Sequence, residues 1–286
     1  MHNKSPYYWL FLTPALLALT GVLLIPLVMG AYYSLTDWDG QVVRNFMGLS
    51  HYLRLVGDRA FTRALAFTGQ FTVVAVGLIN GVGLGLALLV TRHSMFNTPL
   101  RTVFFMPNLM GGIILGFIWQ FIFLRAFEAI AEMTGLAFFS AWLSTPATAF
   151  WGLIILYVWQ MSGYIMIIYI SFLNNIPEEI LEAGTLDGAS GSQLFWRVKF
   201  PMLAPAFTIS LFLTLSGALR MYDQNMALTG GGPFNATQMV AMNIFNTAFR
   251  ANQMAYAQAQ AMVFLLISVL IALVQLYLTR RREVSL

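Results

Sequence analysis

The chain predicts an all-α integral membrane protein with six spans, and three observations carry that reading. Hydrophobic residues make up 59% of the 286 residues and charged residues 9%, with a mean hydropathy of +0.74. A soluble domain carries roughly a quarter charged residues. Apolar runs long enough to cross about 30 Å of hydrocarbon as helix recur along the chain, and short polar segments separate them. Cysteine is absent, which excludes disulfides and thiolate metal sites. The formal charge of +4 is scattered and gives no footprint for nucleic acid. Its densest part, Arg280-Arg281-Arg282, abuts the last span and reads as a cytoplasmic anchor.

Taken in order, His2 and Lys4 precede the first apolar run, about 9–33. It is longer than the roughly 7–15-residue core of a cleaved signal peptide, so it reads as a retained span. Tyr7, Tyr8 and Trp9 at one end, with Tyr32, Tyr33 and Trp38 at the other, suit interfacial aromatic belts. A polar segment follows, then the second span, about 64–90. Gly77, Gly81 and Gly85 repeat there at four-residue steps, a pattern that lets another helix approach closely. A short loop with Arg92 and His93 leads to the third span, about 100–124, which contains Pro107, Asn108, Gly111 and Gly112. An outer segment with Glu128 and Glu132 separates it from the fourth span, about 147–173. The fifth covers about 203–222 and the sixth about 259–278, and the whole of 1–286 forms a single transmembrane domain. An even span count puts both termini on one side. With the termini inside, Lys4, Arg92, Arg101, Arg197, Lys199 and the terminal arginines are cytoplasmic, in keeping with the positive-inside rule.

The polar segment between the fourth and fifth spans has a helical grammar of its own. Pro177 suits a first helical position. Glu178 and Glu179 then occupy the first turn, favourable against the positive helix end. Asp187-Gly188 reads as a turn, Ser190 and Gln193 have capping-box spacing, and Pro201 is expected to end the second helix at Phe200. The dipole does not account for Glu182, which falls at i,i+4 from Glu178, where like charges repel. The run Glu182-Ala183-Gly184, Asp187-Gly188-Ala189 and the later Pro201 and Pro205 resembles the EAA loop of ABC-importer permeases. It departs from that pattern at Gly184, where the family usually has alanine and where glycine loosens a helix. A second stretch, Leu228-Thr229-Gly230-Gly231-Gly232-Pro233 followed by Asn235-Ala236-Thr237, is similar to the LTGGGP segment of permeases that import oligosaccharides, the maltose and multiple-sugar group.

The resemblance implies the type I importer permease fold, with 174–200 as a cytoplasmic coupling loop and Glu178, Glu182, Ala183, Gly184, Asp187 and Gly188 meeting an ATPase. It also implies a second, homologous permease, two ATP-binding cassette subunits, an extracytoplasmic solute-binding protein and a sugar substrate, in a bacterial or archaeal plasma membrane. The chain's only lysines, Lys4 and Lys199, do not follow a glycine, so the phosphate-cradling G-x-x-x-x-G-K-[ST] loop is absent. No cofactor is expected on this chain; ATP and magnesium belong to the ATPase subunits, and the chain itself is not an enzyme.

Polar groups inside spans are costly unless they face a cavity or a partner. In the fourth span Tyr157, Gln160 and Tyr164 fall at i, i+3 and i+7, on one helix face. That face offers hydroxyls, an amide and rings, as sugar binding requires, and equally serves interhelical hydrogen bonding. The resemblance extends the substrate pathway to Asn108, Asp223 and Gln224, while Arg220, one turn before Asp223, is the clearest charge within a span. The alternatives are an ion- or proton-coupled secondary transporter, which would show charge chains or an inverted repeat, and a non-transporting scaffold, which leaves the polar face unexplained. The topology is testable: a reporter fused after Gly191 is expected to read cytoplasm and one after Gly232 the outside. The reverse pair would overturn the orientation.

Overall fold

In lipid, backbone N–H and C=O groups must be paired within the chain, which leaves helices as the economical solution for apolar runs of this length. The computed structural model describes residues 6–91 and 97–281; His2, Lys4, Arg92, His93 and Arg282 lie outside the described residues. The helices are α1 (Pro6–Leu19), α2 (Ile25–Tyr33), α3 (Ser50–Val56), α4 (Arg59–Val90), α5 (Asn97–Phe105), α6 (Gly112–Phe121), α7 (Phe127–Thr134) and α8 (Pro146–Asn174). There follow α9 (Glu178–Leu186), α10 (Gly191–Leu194), α11 (Phe200–Met202), α12 (Ala204–Leu219), α13 (Asp223–Leu228), α14 (Val240–Phe245) and α15 (Met254–Arg280). Among the described residues, the only β pairing is an isolated bridge between Thr36 and Phe46.

Five helical stretches are long and apolar enough to cross a membrane: Phe11–Tyr33, Arg59–Val90, Gly112–Thr134, Pro146–Asn174 and Met254–Arg280. The pair Gly191–Met202 and Ala204–Leu219, bent by 63°, makes a sixth if taken as one span. Several borders differ from the sequence expectation. The third apolar run is not one helix: α5 ends at Phe105, a 3-10 turn covers Met106–Leu109, and α6 starts only at Gly112. Pro107 cannot donate and crowds the carbonyl four residues back, and Gly111-Gly112 adds little helix preference. The helix then runs on through a π turn, Ile122–Ala126, to Thr134, so Arg125, Glu128 and Glu132 are helical rather than loop. The last helix starts five residues earlier than the apolar run, at Met254.

The chain divides into two compact units. One contains the described residues up to Phe61 together with Asn243–Leu266. Here α1 continues through a π turn, Thr20–Leu24, into α2, and Tyr33 stacks on Trp38 with centroids 4.4 Å apart. Asp37 Oδ1 accepts the backbone N–H groups of Arg44 and Asn45 at 2.8 Å, closing the loop. Asp58 accepts from Ala60 N at 2.8 Å and Phe61 N at 3.1 Å, and from Tyr256 Oη at 2.7 Å. Burial works to raise the Asp58 pKa, but these hydrogen bonds outweigh it and hold the carboxyl below the usual range. Its contribution to stability is therefore present at neutral pH and fades as pH falls through that lowered value.

The other unit holds Thr62–Met242 and Ile267 onward. Its core is α8, whose Leu153, Leu156, Ile165, Met166 and Tyr169 are all fully enclosed. A polar network lies inside that core. Tyr169 Oη donates to Asn80 Oδ1 at 2.9 Å and lies 3.0 Å from Ser210 Oγ, while Asn80 Nδ2 donates to Thr214 Oγ1 at 3.2 Å. Four buried side chains from α4, α8 and α12 thus satisfy one another. A carboxamide such as Asn80 in an apolar span is itself a signal of an interior polar contact. Tyr169→Phe removes the hydroxyl shared by Asn80 and Ser210. Interhelical hydrogen bonds in membranes are worth about 0.6 kcal/mol on average and up to about 1.7, and an orphaned buried acceptor adds about 1–3. A loss of roughly 1–3 kcal/mol is expected, read as a lower unfolding midpoint of the purified protein in detergent.

Candidate functional site

The polar segment after α8 folds as helix, turn, helix. Pro177 sits one position earlier than expected: at ψ 132° it is the N-cap, and Glu178 and Glu179 form the first turn of α9. The helix runs a turn beyond Ala183, to Leu186. Gly188, at φ +78°, then reverses the chain in a conformation that L side chains rarely adopt. Ser190 and Gln193 close the capping box in both directions, Gln193 N to Ser190 Oγ at 3.3 Å and Ser190 N to Gln193 Oε1 at 2.8 Å. Gly184, the departure from the EAA pattern, has a reason: a Cβ there would come within 2.9 Å of Leu194 Cδ1. Glycine lets α10 fold back onto α9. The helix after the turn does not end at Phe200 but continues to Met202, because the π turn Phe195–Lys199 shifts the carbonyl register ahead of Pro201. The 63° bend follows, at Leu203.

On α9, Glu178, Glu179, Glu182, Ala183 and Thr185 are exposed, and Leu186 is 88% exposed. Glu178, Leu181, Glu182, Thr185 and Leu186 line one shallow groove. Two carboxylates and two leucines thus share a single helix face beside a capped turn. Asp187 is exposed at the end of α9, where its N–H bonds to Ala183 O at 2.9 Å.

The pathway residues are brought together only in part. Gln160 Oε1 accepts from Gln224 Nε2 at 2.9 Å, joining α8 to α13. Gly112 makes room for that contact, since a Cβ there would stand 2.9 Å from both Asp223 Cβ and Gln224 Cδ. Asp223 itself is exposed and Gln224 half-buried. Asn108 is half-buried on the 3-10 turn. Tyr164 is half-buried, its ring 6.4 Å from that of Phe105. Tyr157 is 3% exposed, enclosed between Phe71 and Gly217, and a Cβ on Gly217 would lie 2.5 Å from its hydroxyl. One helix face therefore meets four neighbours: α12 and α4 at Tyr157, α13 at Gln160 and α5 at Tyr164. Arg220 makes no ion pair with Asp223; it is exposed, and its Nε donates to Ser216 O at 3.0 Å, capping the end of α12. Trp159, next to Gln160 in the fourth span, packs edge to face with Trp119 at 5.6 Å.

At the far end of α13 the Thr229–Pro233 turn is tied by side chains. Asn225 Nδ2 donates to Thr237 O at 2.7 Å, Thr229 Oγ1 donates to Asn225 Oδ1 at 2.6 Å, and Gly231 N donates to Thr229 Oγ1 at 3.1 Å. Gly230 and Gly231 take φ +57° and +86°, and Phe234 at the tip is 96% exposed.

Residues 79–284 match the family described as binding-protein-dependent transport system inner membrane component, and the chain belongs to that family. Among curated relatives, it is 48% identical over 280 residues to the probable starch degradation products transport system permease protein AmyD of Thermoanaerobacterium thermosulfurigenes, covering 98% of this chain and 96% of that one. It is 32% identical over 281 residues to the multiple sugar-binding transport system permease protein MsmF of Streptococcus mutans, covering 96% of each. Among solved structures, one chain of a bacterial ABC transporter that imports the acidic polysaccharide alginate superposes with a TM-score of 0.81 at 17% identity, covering 96% of this chain and 95% of that one. That likeness establishes the fold. Membership in this family leaves the secondary-transporter alternative without support.

If Gln160 and Gln224 act as one unit, Gln160→Ala and Gln224→Ala each lower transport about five-fold, the cost of one hydrogen bond near 1 kcal/mol, and the double variant is no worse than either. Initial uptake rates in reconstituted vesicles, normalised to assembled complex, check this; additive losses would separate the two residues.

Proposed function

We propose that this chain is a pore-forming permease subunit of an ATP-driven sugar importer in the plasma membrane, with both termini in the cytoplasm. It pairs with a second, homologous permease; two ATP-binding cassette subunits dock below and an extracytoplasmic binding protein delivers the substrate. The observation that carries this reading is the α9–α10 elbow, an exposed acidic and apolar helix stapled by a glycine turn and a capping box. The family supports it, and so do relatives described as permeases for starch degradation products and for multiple sugars. The solved alginate transporter is described in complex with a substrate-bound periplasmic protein, which supports the delivery partner. ATP and magnesium would be held by the ATPase subunits.

The continuity of α8 supports a coupling route in this reading. Helix α8 runs from Gln160 to Asn174 without a break, about 21 Å at 1.5 Å per residue, and leads directly into α9. On the other side of the elbow, the bend at Leu203 joins α12, which ends at Arg220 beside Asp223 and Gln224. A displacement of α9 would reach Gln160 along α8, and Gln224 by way of the bend at Leu203, α12 and the short break before α13. A polyhydroxylated substrate would meet amides, a carboxylate and a guanidinium, with Trp159 as a stacking surface.

Two substitutions test the coupling. Glu182→Lys reverses a charge that would face a cation on the ATPase. A charge-assisted contact is worth about 1.5–3 kcal/mol, so docking should weaken about ten-fold or more. Gly188→Val should act likewise by blocking the left-handed turn. ATPase co-purification and substrate-stimulated hydrolysis in vesicles are the readouts, with membrane level of the permease as control. Wild-type docking and stimulation in both variants, or uptake that continues without ATP, would overturn the reading.

A further inference from the structure

Between the first and second spans, α3 and the loop before it expose large apolar side chains. Leu53 and Val56 are 74% and 86% exposed, and Phe46, Met47 and Leu49 are exposed as well. Leu49, Leu53 and Val56 fall at i, i+4 and i+7 and so share one face of the helix. The opposite face is tied down. Leu55 is buried, Tyr52 Oη lies 2.6 Å from Ser34 Oγ, and His51 Nε2 lies 2.9 Å from Thr36 O. The Arg54 guanidinium covers the Tyr256 ring at 4.1 Å. His51, Tyr52 and Arg54 are thus turned onto the chain, and the free stripe is aliphatic.

The same contacts set the height of α3. Phe46 is bridged to Thr36, just past the stacked Tyr33 and Trp38 at the end of α2. Trp38 O accepts from Ala255 N at 3.1 Å. Asp58 Oδ2 accepts from Tyr256 Oη at 2.7 Å and from Gln260 Nε2 at 3.4 Å. The apolar run of the last span begins at about 259, so Tyr256 stands about 4.5 Å of helix axis from it. The interfacial layer on each side of a bilayer is about 5–7 Å thick. Helix α3 therefore lies in that layer, on the membrane face opposite the α9–α10 elbow.

A protein or a lipid surface could cover the stripe. Protein contacts that carry binding energy are rich in Trp, Tyr and Arg, with Leu and Val under-represented. The stripe has the reverse composition, and Arg54, Tyr52 and Tyr256 beside it are engaged within the chain. An aliphatic helix face at this height seats itself between headgroups and upper acyl carbons.

We infer that α3 is an interfacial helix whose Leu49, Leu53 and Val56, with Phe46 from the preceding loop, sit in the phospholipid leaflet opposite the elbow. The inference goes beyond the importer reading and needs only the membrane spans.

The test uses the full importer in phospholipid vesicles. The chain contains no cysteine, so Leu53→Cys and Val56→Cys each take a nitroxide label, with the other subunits cysteine-free. Both side chains are exposed, and the label displaces no packed neighbour. Gln41→Cys, in the exposed hydrogen-bonded loop, is the aqueous reference. Electron paramagnetic resonance compares collisions with oxygen, which concentrates in lipid, and with a water-soluble nickel chelate. The oxygen-to-nickel ratio at both labelled α3 positions is expected to stand several-fold above the reference. A ratio equal to the reference puts the face in water, and exclusion of both reagents puts it against protein; either result overturns the inference. Uptake by the labelled importer is measured alongside. Uptake that continues without ATP would overturn the importer reading and leave this inference to the collision ratios.

Discussion

Helix α8 can approach its neighbours only because it carries glycine where their backbones pass. Any side chain at Gly163 would overlap the Phe104 carbonyl of α5, and one at Gly152 would come within 2.8 Å of Leu143. Between helices in lipid there is no hydrophobic driving force, so close packing and polar pairs decide where each helix sits. The Gly163 contact sets the height of α5 on α8, and with it the place of the 3-10 turn that carries Asn108 and of Tyr164 beside Phe105. The same device recurs at α6, where Gly112 and Gly116 admit α13 and so bring Gln224 to Gln160. The placement of Asn108, Tyr164, Gln160 and Gln224 depends on these missing side chains as much as on the polar residues themselves.

The interior polar groups then fix the arrangement. Asn80, Tyr169, Ser210 and Thr214 form a closed exchange among α4, α8 and α12. Each would be costly alone in an apolar span. Together they specify which faces meet, something dispersion forces between leucines and phenylalanines do poorly. Tyr157 belongs with this group in position: enclosed by Phe71 and Gly217, it joins helices. Gln160 and Gln224 lie nearer the exposed side, where Asp223 and Arg220 are open.

The elbow between α8 and α12 solves a different problem. An exposed segment has few tertiary contacts, so its stiffness has to come from local bonds. Here the capping box, the left-handed Gly188 and the Gly184–Leu194 packing supply that stiffness. At Gly184 the absent Cβ leaves room for the Leu194 side chain, which would have to shift to admit alanine.

Composition and periodicity by themselves determined that this is a helical membrane protein, where its apolar runs fall, and that a capped helical elbow separates the fourth from the fifth. Those features are local: run length against bilayer thickness, Ser190 to Gln193 spacing, and Asp187-Gly188 as a turn each depend on a few neighbouring residues. Pro107 and Gly111-Gly112 mark the break in the third apolar run, but helix propensity alone does not say whether a neighbour will compensate a proline, so run length alone predicts a continuous span. Which glycines carry contacts could not be read at all. Gly77, Gly81 and Gly85 have the recognisable spacing and stay open within the chain, while Gly83, which has no pattern around it, meets α8. Likewise, periodicity put Tyr157, Gln160 and Tyr164 on one face, and only the folded chain gave each a different neighbour. A helix face is a property of one segment, whereas burial and hydrogen-bond partnership belong to pairs of segments far apart in sequence, and only tertiary packing decides them.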